Sequence, residues 1–369
     1  MLVRVRIEKT TVVSMMSGDR SLGWDSAWDE VWGSSPRHAS ARPGRVARID
    51  RGWSTIWYSP PEGGQLGASG GDVVRVRNLG VDVAVGDWVV VSDDGERVDE
   101  VLPRRSAFVR RASFEGQRAE SHTLAANIDL VLLVHAVASP PNQRRLEREL
   151  VLAFDSGARP VVVLSKRDLL DDADELQRRV ETVREVAPGV EVRVVSALTG
   201  EGLDDVRTLA GDHRTLALLG ASGVGKSTIV NALVGDSVQR TEEVREGDQR
   251  GRHTTTASSL IAISSSDPGS AGWLIDTPGV RALNLWSSGR GIERAFADVF
   301  DLGENCRFRD CKHEDEPGCA VRDAISSGRL DARRLASMKN LVAEEAALEE
   351  EQKARLKVED RRGFRRRKT

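Results

Sequence analysis

The residues best suited to chemistry form a glycine-rich stretch that ends in a lysine and two hydroxyl residues. It comprises Gly220, Ala221, Ser222, Gly223, Val224, Gly225, Lys226, Ser227 and Thr228. This order fits G-x-x-x-x-G-K-[ST], a loop whose backbone N–H groups cradle phosphate oxygens. We predict that Lys226 adds positive charge at the β- and γ-phosphates of a nucleotide and that the Ser227 hydroxyl ligates Mg²⁺. An ordinary glycine-rich turn is disfavoured, because an apolar segment precedes the loop and a helical one follows.

A second phosphate-side motif, D-x-x-G, follows the apolar segment GWLI and runs from Asp276 to Gly279. We expect the Asp276 carboxylate to hold Mg²⁺ and the Gly279 N–H to reach the γ-phosphate. The intervening RGRHTTT stretch supplies Thr254 and Thr255 for contact with the γ-phosphate and Mg²⁺, with Thr255 as the predicted metal ligand. The sequence alone does not decide between the two threonines.

A base-recognition motif lies upstream, directly after the apolar segment RPVVVL, and consists of Ser165, Lys166, Arg167 and Asp168. It resembles N-K-x-D, in which the aspartate accepts two hydrogen bonds from guanine donors that adenine lacks. The Lys166 stem is expected to cover the base plane. Ser165 departs from the usual asparagine, so we expect one bridging contact to be shortened or lost. A charged surface loop is the alternative for this motif alone.

A second base-recognition motif, S-A-x, comprises Ser196, Ala197 and Leu198 and is expected to meet guanine O6 through its backbone. Together the two motifs favour a guanine nucleotide. Both precede the phosphate loop, whereas an ordinary GTPase has the reverse order. The same sheet can still assemble if the old termini are joined and the chain begins at the fourth strand. The sequence therefore predicts a circular permutation.

The three cysteines of the chain lie within fourteen residues of one another. With one histidine they form C-x₄-C-x-H-x₅-C, made up of Cys306, Cys311, His313 and Cys319. Three thiolates and an imidazole are a ligand set for tetrahedral Zn²⁺, and a closed four-ligand site is structural rather than catalytic. The alternative is a set of reduced, unliganded cysteines.

The segment patterns predict a multidomain chain of 369 residues. Residues 1–40 are read as an extension, in which Trp24, Trp28 and Trp32 recur at helical spacing and favour a short docking helix; a disordered tail or a later start site is the alternative. Short alternating segments over 41–105 indicate a small all-β barrel or sandwich. Strands alternating with helices over 106–300 predict a doubly wound parallel sheet, and 301–369 a zinc-binding helical unit with a basic tail.

Composition constrains where the protein acts. The net charge of −3 says little about partners, because charge is unevenly distributed. No apolar run approaches the roughly eighteen residues that a membrane helix needs, and the first residues lack a secretory apolar region. We therefore expect a cytoplasmic monomer that has no contact with membranes.

Together these motifs resemble the ribosome small-subunit-dependent GTPase A family, circularly permuted GTPases of bacterial small-subunit maturation. The resemblance covers about 41–345, and GRHTTT and the cysteine spacing are its most specific parts. It implies an OB-fold barrel, a permuted P-loop GTPase domain and a zinc domain that together grip ribosomal RNA. It also implies GTP hydrolysis to GDP during late small-subunit maturation, stimulated by that subunit.

The catalytic residue has weaker support in the sequence than the binding motifs have. Val280 follows D-T-P-G, so the glutamine that positions water in many GTPases is absent. By resemblance, His253 is the candidate that places the water; a structural or RNA-contacting histidine is the alternative. Two further functions remain open at this point. One is a nucleotide-regulated RNA-binding scaffold with incidental hydrolysis, and the other is a GTPase serving metal or membrane transport.

Basic segments are candidates for contact with RNA phosphates. They comprise Arg104, Arg105, Arg110, Arg111 and the C-terminal run RRGFRRRKT. Solvated charged faces and a compositional bias toward arginine are the competing explanation, since only 8 of the 54 basic residues are lysine.

Overall fold

The fold was analysed in a computed structural model, which describes residues 18–34, 41–50, 52–59, 72–111, 121–235, 258–263, 271–276 and 290–366. The strands are β1 (Gly44–Asp50), β2 (Trp53–Trp57), β3 (Val73–Arg77), β4 (Trp88–Val91), β5 (Val98–Val101), β6 (Ala107–Arg111), β7 (Ser121–Ala126), β8 (Leu130–Ala136), β9 (Arg159–Ser165), β10 (Glu191–Val194), β11 (Thr215–Gly220), β12 (Ser258–Ile263) and β13 (Gly272–Asp276). The helices are α1 (Ser26–Gly33), α2 (Gln143–Ser156), α3 (Ala173–Val186), α4 (Leu203–Leu209), α5 (Lys226–Val234), α6 (Arg290–Ala295), α7 (Ala297–Gly303), α8 (Ala320–Ser326) and α9 (Ala332–Arg366).

The nucleotide-type motifs lie on a six-strand sheet with the order β10-β9-β8-β11-β13-β12. The first five strands pair in parallel, as the near-continuous apolar segments predicted. The sixth strand, β12, pairs antiparallel with β13, so the sheet is mixed and not wholly parallel. The strand that leads into the phosphate loop, β11, lies between β8 and β13, although β9 and β10, which lead into the base-recognition motifs, come before it in the chain. This is the permuted arrangement that the motif order predicted.

Helices cover both faces of this sheet, because side chains alternate between the faces along each strand. Leu133 and Leu164 point to the face that also buries apolar residues of α2 and α3. Leu132 and Val163 point to the opposite face, which is packed by α4 and α5. The asparagine or aspartate cap of each of α2 and α3 accepts a hydrogen bond from an N–H in the first turn, which fixes where these helices start.

Strands β1 to β5 form a ring with the order β1-β2-β3-β5-β4-β1. The β1–β2, β2–β3, β4–β5 and β1–β4 pairs are antiparallel. The ring closes through a parallel bridge between Arg77 and Arg97, in which the Arg77 N–H donates to the Glu96 carbonyl at 2.9 Å. Apolar side chains including Val46, Ile56 and Val76 fill its interior.

The ring is continuous with the large sheet, because β1 also pairs antiparallel with β12. A buried arginine, Arg45, reinforces this junction. Its guanidinium donates to the Thr215 hydroxyl at 2.6 Å and to the Leu22 carbonyl. Burial lowers the pKa of Arg45 to about 10, and the charges of Asp129 and Asp87 oppose that shift. The side chain therefore stays cationic at neutral pH and joins β1, β11 and the N-terminal segment.

The tryptophan-bearing N-terminal segment docks on the fold, and Trp28 and Trp32 lie in the predicted helix, whereas Trp24 precedes its cap residue Asp25. Trp24, Trp28 and Trp32 are each 2% exposed, and Trp24 meets Trp88 of β4 edge-on at 4.8 Å. The Trp273 indole N–H donates to a carbonyl of this segment at 2.9 Å. Residues 18–34 thus cover the junction between the ring and the sheet.

The C-terminal helix α9 is anchored on the sheet domain by one buried arginine, Arg334, which is 3% exposed. It donates to the carbonyls of Val186 and Ala295, each at 2.7 Å. It also pairs with Asp298 of α7 at 2.8 Å and with Glu147 of α2 at 3.3 Å. A buried charge is tolerated only when it is paired and hydrogen-bonded. Groups on four helices supply these partners to Arg334.

None of the helices in the described part of the chain is long and apolar enough to cross a bilayer.

Candidate functional site

The phosphate loop joins the carboxyl end of β11 to the first turn of α5. Gly220, Gly223 and Gly225 all have positive φ, at 144°, 80° and 98°. A side chain at Gly220 is excluded because its Cβ would lie 2.4 Å from the Val134 carbonyl. Lys226 is the first residue of α5, and its Nζ donates to the Gly220 carbonyl at 2.8 Å and to that of Ala221. The lysine amine is therefore held within the loop, at a helix N-terminus suited to anions.

The two base-recognition motifs lie side by side at the ends of β9 and β10. The Ser196 hydroxyl donates to the Asp168 carboxylate at 2.5 Å, and the Arg167 N–H donates to the Val195 carbonyl at 3.1 Å. One motif thus orients the acceptor of the other. Leu198 is 81% exposed beside them, which leaves an apolar surface at the position expected to meet a base.

Ser165 connects the base-recognition loop to the phosphate loop. Its hydroxyl lies 2.5 Å from the Val224 carbonyl and 3.2 Å from the His135 carbonyl. The short side chain therefore reaches the phosphate loop directly. The expectation that the serine shortens or loses one bridging contact stays a prediction. The Lys166 side chain also approaches Gly225, since a Cβ placed there would lie 3.8 Å from Lys166 Cε.

A group of three hydrogen-bonded side chains beneath these loops was missed by the sequence analysis. His135 Nε2 lies 2.9 Å from Glu149 Oε2, and Arg145 Nε donates to the other Glu149 oxygen at 2.9 Å. His135 lies in the segment LLVHAV, where it looks like a polar interruption of a strand, and its partner is fourteen residues away on α2. No short motif signals such a pair.

A cavity of about 570 Å³ adjoins the phosphate loop on the side of this hydrogen-bonded group. Its walls come from α2, from the phosphate loop and from α9, and they include Arg145, Glu149, Lys226 and Glu344. Arg148 of α2 makes a bidentate pair with Glu344 of α9, with both N–O distances at 2.8 Å. The C-terminal helix therefore approaches the phosphate side of the site.

The predicted Mg²⁺ residues fall partly within the described chain. Ser227 is exposed in the first turn of α5, and Asp276 is exposed at the carboxyl end of β13. Since β13 pairs in parallel with β11, both residues follow adjacent strand ends. Hydroxyl and carboxylate oxygens are the hard donors that Mg²⁺ prefers. His253, Thr254, Thr255 and Gly279 lie outside the described residues, so their assignments stay predictions.

The four predicted zinc ligands converge between α7 and α8. Their ligand atoms all lie within 4.8 Å of one another. His313 Nδ1 is 3.6 Å from Cys306 Sγ and 3.4 Å from Cys319 Sγ, and the two sulfurs are 3.9 Å apart. A tetrahedron around Zn²⁺ with its usual bond lengths has edges of about 3.6 Å for N–S and about 3.8 Å for S–S. The cluster is thus compatible with one zinc ion.

The loop that carries these ligands is held by its own backbone contacts. The Glu316 carboxylate accepts the N–H groups of Lys312 and Glu314, each at 2.8 Å. These bonds hold the pKa of Glu316 at about 2, so the carboxylate is ionised throughout the neutral range. His313 has a φ of 58°, in the left-handed region, which turns its ring back toward the cysteines.

Two arginines proposed for RNA contact have acidic partners within the protein. Arg104 pairs with Asp82 and with the buried Asp87, and Arg105 makes a bidentate pair with Asp25. The Arg105 guanidinium also holds the pKa of Asp25 below its usual range. Both cations are therefore already neutralised by neighbours, which the sequence run around them did not reveal.

Known proteins are similar to this chain in sequence. A model of the RsgA GTPase family matches residues 101–286. The small ribosomal subunit biogenesis GTPase RsgA of Streptomyces coelicolor is 43% identical over 350 residues, which cover 94% of this chain and 92% of that protein. A protein of the same name from Methanosarcina acetivorans is 41% identical over 284 residues, 76% of this chain and 73% of the relative.

Two solved structures share the fold. YjeQ from Thermotoga maritima superposes with a TM-score of 0.59 at 25% identity, covering 83% of this chain and 99% of that chain. YloQ, described as a circularly permuted GTPase, superposes with a TM-score of 0.58 at 23% identity, covering 85% of this chain and 98% of that chain. The match to YloQ supports the permuted fold alone.

The geometry around Asp168 leads to a test of base choice. Xanthine carries a carbonyl where guanine carries its exocyclic amine, so Asp168→Asn exchanges an acceptor for a donor that suits xanthine. We expect GTP affinity to fall about 10- to 100-fold, the worth of a hydrogen bond to a charged group, while XTP affinity rises.

Fluorescent-nucleotide titrations of the variant measure both affinities. Asp171→Asn changes an exposed carboxylate three residues away and should leave both unchanged. An Asp168→Asn variant that retains its preference for GTP over XTP would contradict the assignment of Asp168.

Proposed function

Since this chain belongs to the RsgA GTPase family and is therefore a GTP hydrolase, we propose that it couples the GTP cycle to late maturation of the small ribosomal subunit. Its partners under this proposal are the small subunit, the ribosomal RNA of that subunit, and GTP or GDP. Relatives that match over nine-tenths or more of both chains carry a role in small-subunit biogenesis in their names.

One observation carries the proposal for the nucleotide. The hydroxyl of Ser165, in the base-recognition loop, lies 2.5 Å from the carbonyl of Val224, in the phosphate loop. Residues separated by 59 positions along the chain are thereby placed at one sheet edge, as a nucleotide with both base and phosphates requires. Parallel α/β sheets bind ligands at this carboxyl edge.

The chain's own groups supply binding and charge stabilisation. The N–H groups from Gly220 to Thr228 and the Lys226 amine bind the α-, β- and γ-phosphates, and Lys226 stabilises charge that develops on the β–γ bridge. Asp168 holds the guanine, and the backbone of Ser196, Ala197 and Leu198 meets its O6.

Mg²⁺ would be held by Ser227, Thr255 and Asp276, with Thr254 and Gly279 at the γ-phosphate. When bound, this ion neutralises phosphate charge.

Water activation requires a group that Val280 cannot supply, because an aliphatic side chain neither donates nor accepts a hydrogen bond. We assign this role to His253, whose imidazole orients the attacking water toward the γ-phosphorus. Hydrolysis then breaks the bond between the γ-phosphorus and the β–γ bridging oxygen, and it yields GDP and inorganic phosphate. Under this proposal, contact of the small subunit with the residues around His253 would favour this position, so we expect the subunit to stimulate hydrolysis.

The remaining two units supply the contacts with the subunit. The ring order β1-β2-β3-β5-β4-β1 supports an OB-fold barrel, an architecture used for oligonucleotide binding. The Cys306, Cys311, His313 and Cys319 cluster would hold one Zn²⁺ as a structural ion. Its role would be structural and not catalytic, because four closed ligands leave no position for water.

The proposal is tested by turnover of GTP and of ATP with and without purified small subunits. We expect slow basal GTP hydrolysis, marked stimulation by small subunits, and no comparable hydrolysis of ATP. His253→Ala should leave GTP affinity within about twofold of the wild-type value. It should lower the stimulated rate by about 100-fold or more, because the variant lacks the group that orients the attacking water.

His122→Ala, which changes an exposed histidine on β7, is the matched control and should retain stimulation. Unchanged stimulated turnover in His253→Ala would refute the role of His253. A wild-type chain that binds small subunits in a GTP-dependent way without any stimulated hydrolysis would favour an RNA-binding scaffold instead.

The zinc assignment has its own test, which does not depend on activity. Purified chain should contain about one zinc ion, and Cys306→Ser should lose it because three ligands hold Zn²⁺ far less tightly than four. Elemental analysis after gel filtration measures the content, and a chelator should lower the melting temperature of the wild type only.

Asp310→Asn, at an exposed position in the same loop, should keep its metal. Equal zinc content in the Cys306→Ser variant would show that the ion lies elsewhere.

A further inference from the structure

The outward face of β2 and β3 carries an indole flanked by two guanidinium groups. Strand pairing sets Trp53 opposite Arg77 and Thr55 opposite Arg75. The Cζ atoms of Arg75 and Arg77 lie 5.2 and 5.1 Å from the centre of the Trp53 ring. Both arginines are exposed, whereas Val76 between them is buried in the ring of strands. We call the three residues Trp53, Arg75 and Arg77 the Trp53 face.

The two arginines of the Trp53 face differ in their charge environment from Arg48 and Arg97, two other arginines of the ring. In the part of the chain that the structure describes, neither has an acidic group within ion-pair distance. By contrast, Arg97 pairs with Asp99 at 2.9 Å, and Arg48 pairs with Asp50 at 3.8 Å. Among the described residues, the face therefore carries two positive charges that have no ion-pair partner.

These two charges lie close together. Alternate residues on one strand are about 7 Å apart, so Arg75 and Arg77 repel each other. A bound polyanion relieves that repulsion. The planar guanidinium forks suit phosphate oxygens, which they can contact in a bidentate manner.

The position of the face within the ring narrows the class of partner. In barrels with this strand order, the surface of the second and third strands is the one that binds oligonucleotides. An aromatic ring among cationic side chains is the arrangement on which unpaired bases stack. An acidic protein segment would satisfy the two charges but would supply no base that could stack on the indole.

We propose that the Trp53 face binds an unpaired RNA segment, with one base stacked on Trp53 and adjacent phosphates held by Arg75 and Arg77. This inference rests on the proposed function only in taking the partner to be ribosomal RNA. Duplex RNA does not fit, because its bases are already stacked and its major groove is too narrow for side chains.

The test uses the full-length protein and a fluorescein-labelled twelve-nucleotide oligo(U), which has no secondary structure. Anisotropy titrations over a range of salt concentrations give the affinity and its salt slope. Arg75→Ala/Arg77→Ala should weaken binding at least tenfold and reduce the slope of log K against log salt by about 1.4, for two phosphate contacts on a single strand.

Trp53→Leu and Trp53→Phe separate stacking from packing. Leucine keeps an apolar side chain without an aromatic plane, so it should weaken binding about 5- to 100-fold with the salt slope unchanged. Phenylalanine should restore most of that loss. Arg97→Ala, which removes an exposed but paired arginine from the same ring, should bind as the wild type does.

Three results would overturn the proposal. The first is wild-type affinity for oligo(U) in both the double-arginine and Trp53→Leu variants. The second is a loss of affinity in Arg97→Ala as large as that in the double-arginine variant. The third is that the double-arginine and Trp53→Leu variants lose affinity for a twelve-base-pair RNA duplex as strongly as for oligo(U). GTP turnover with small subunits is measured in parallel. A wild-type chain that binds oligo(U) through this face but shows no stimulated turnover counts against the proposed function and not against the face.

Discussion

The hydroxyl of Ser165 makes the contact on which the nucleotide site depends, since it ties the loop after β9 to the loop after β11. These strands are not neighbours in the sheet, because β8 lies between them. The hydroxyl spans that gap by reaching the Val224 carbonyl, and the His135 carbonyl of the intervening strand is also within its reach. The distance between the base-recognition and phosphate loops is thereby fixed by one short side chain, with the buried His135–Glu149 pair beneath it.

The permuted chain order leaves the geometry of this site intact but changes which elements come after it in the chain. Strand pairing and not chain order sets the position of each loop, so the same carboxyl edge forms. The chain leaves the sheet at Asp276 and next enters the described structure at α6, which packs on α2. Arg334 then joins α2, α3, α6 and α7 to the C-terminal helix through buried polar contacts. Because breaking a buried ion pair is costly, motion of α2 is resisted by α9.

Much of this arrangement could be predicted from the sequence, because the signals are local. Apolar runs gave β8, β9 and β11 within a few residues, and the glycine and cysteine spacings placed the phosphate loop and the metal cluster. Trp24, Trp28 and Trp32 predicted a docking helix from their helical spacing. These features depend on neighbours within about one element, so a short window contains their cause.

Contacts between distant segments could not be predicted in the same way. Nothing near Arg45 indicates that it will be buried against Thr215, which is 170 residues away. The pairing of β1 with β12 joins the ring to the sheet through strands far apart in sequence. Arg104 and Arg105 look like a basic RNA-binding run until their acidic partners are located in space. In each case the partner is chosen by tertiary packing, which residue type and spacing do not encode.

The central claim is that the guanine-nucleotide state and small-subunit binding are linked, and binding linkage is reciprocal. The most direct measurement is the equilibrium affinity of the full chain for purified small subunits, at one fixed salt concentration. This affinity is measured in three separate conditions: with a non-hydrolysable GTP analogue bound, with GDP bound, and in the presence of a non-hydrolysable ATP analogue. The account predicts binding at least about tenfold tighter with the GTP analogue than with GDP, and no effect of the ATP analogue. Equal affinity in all three conditions would contradict it.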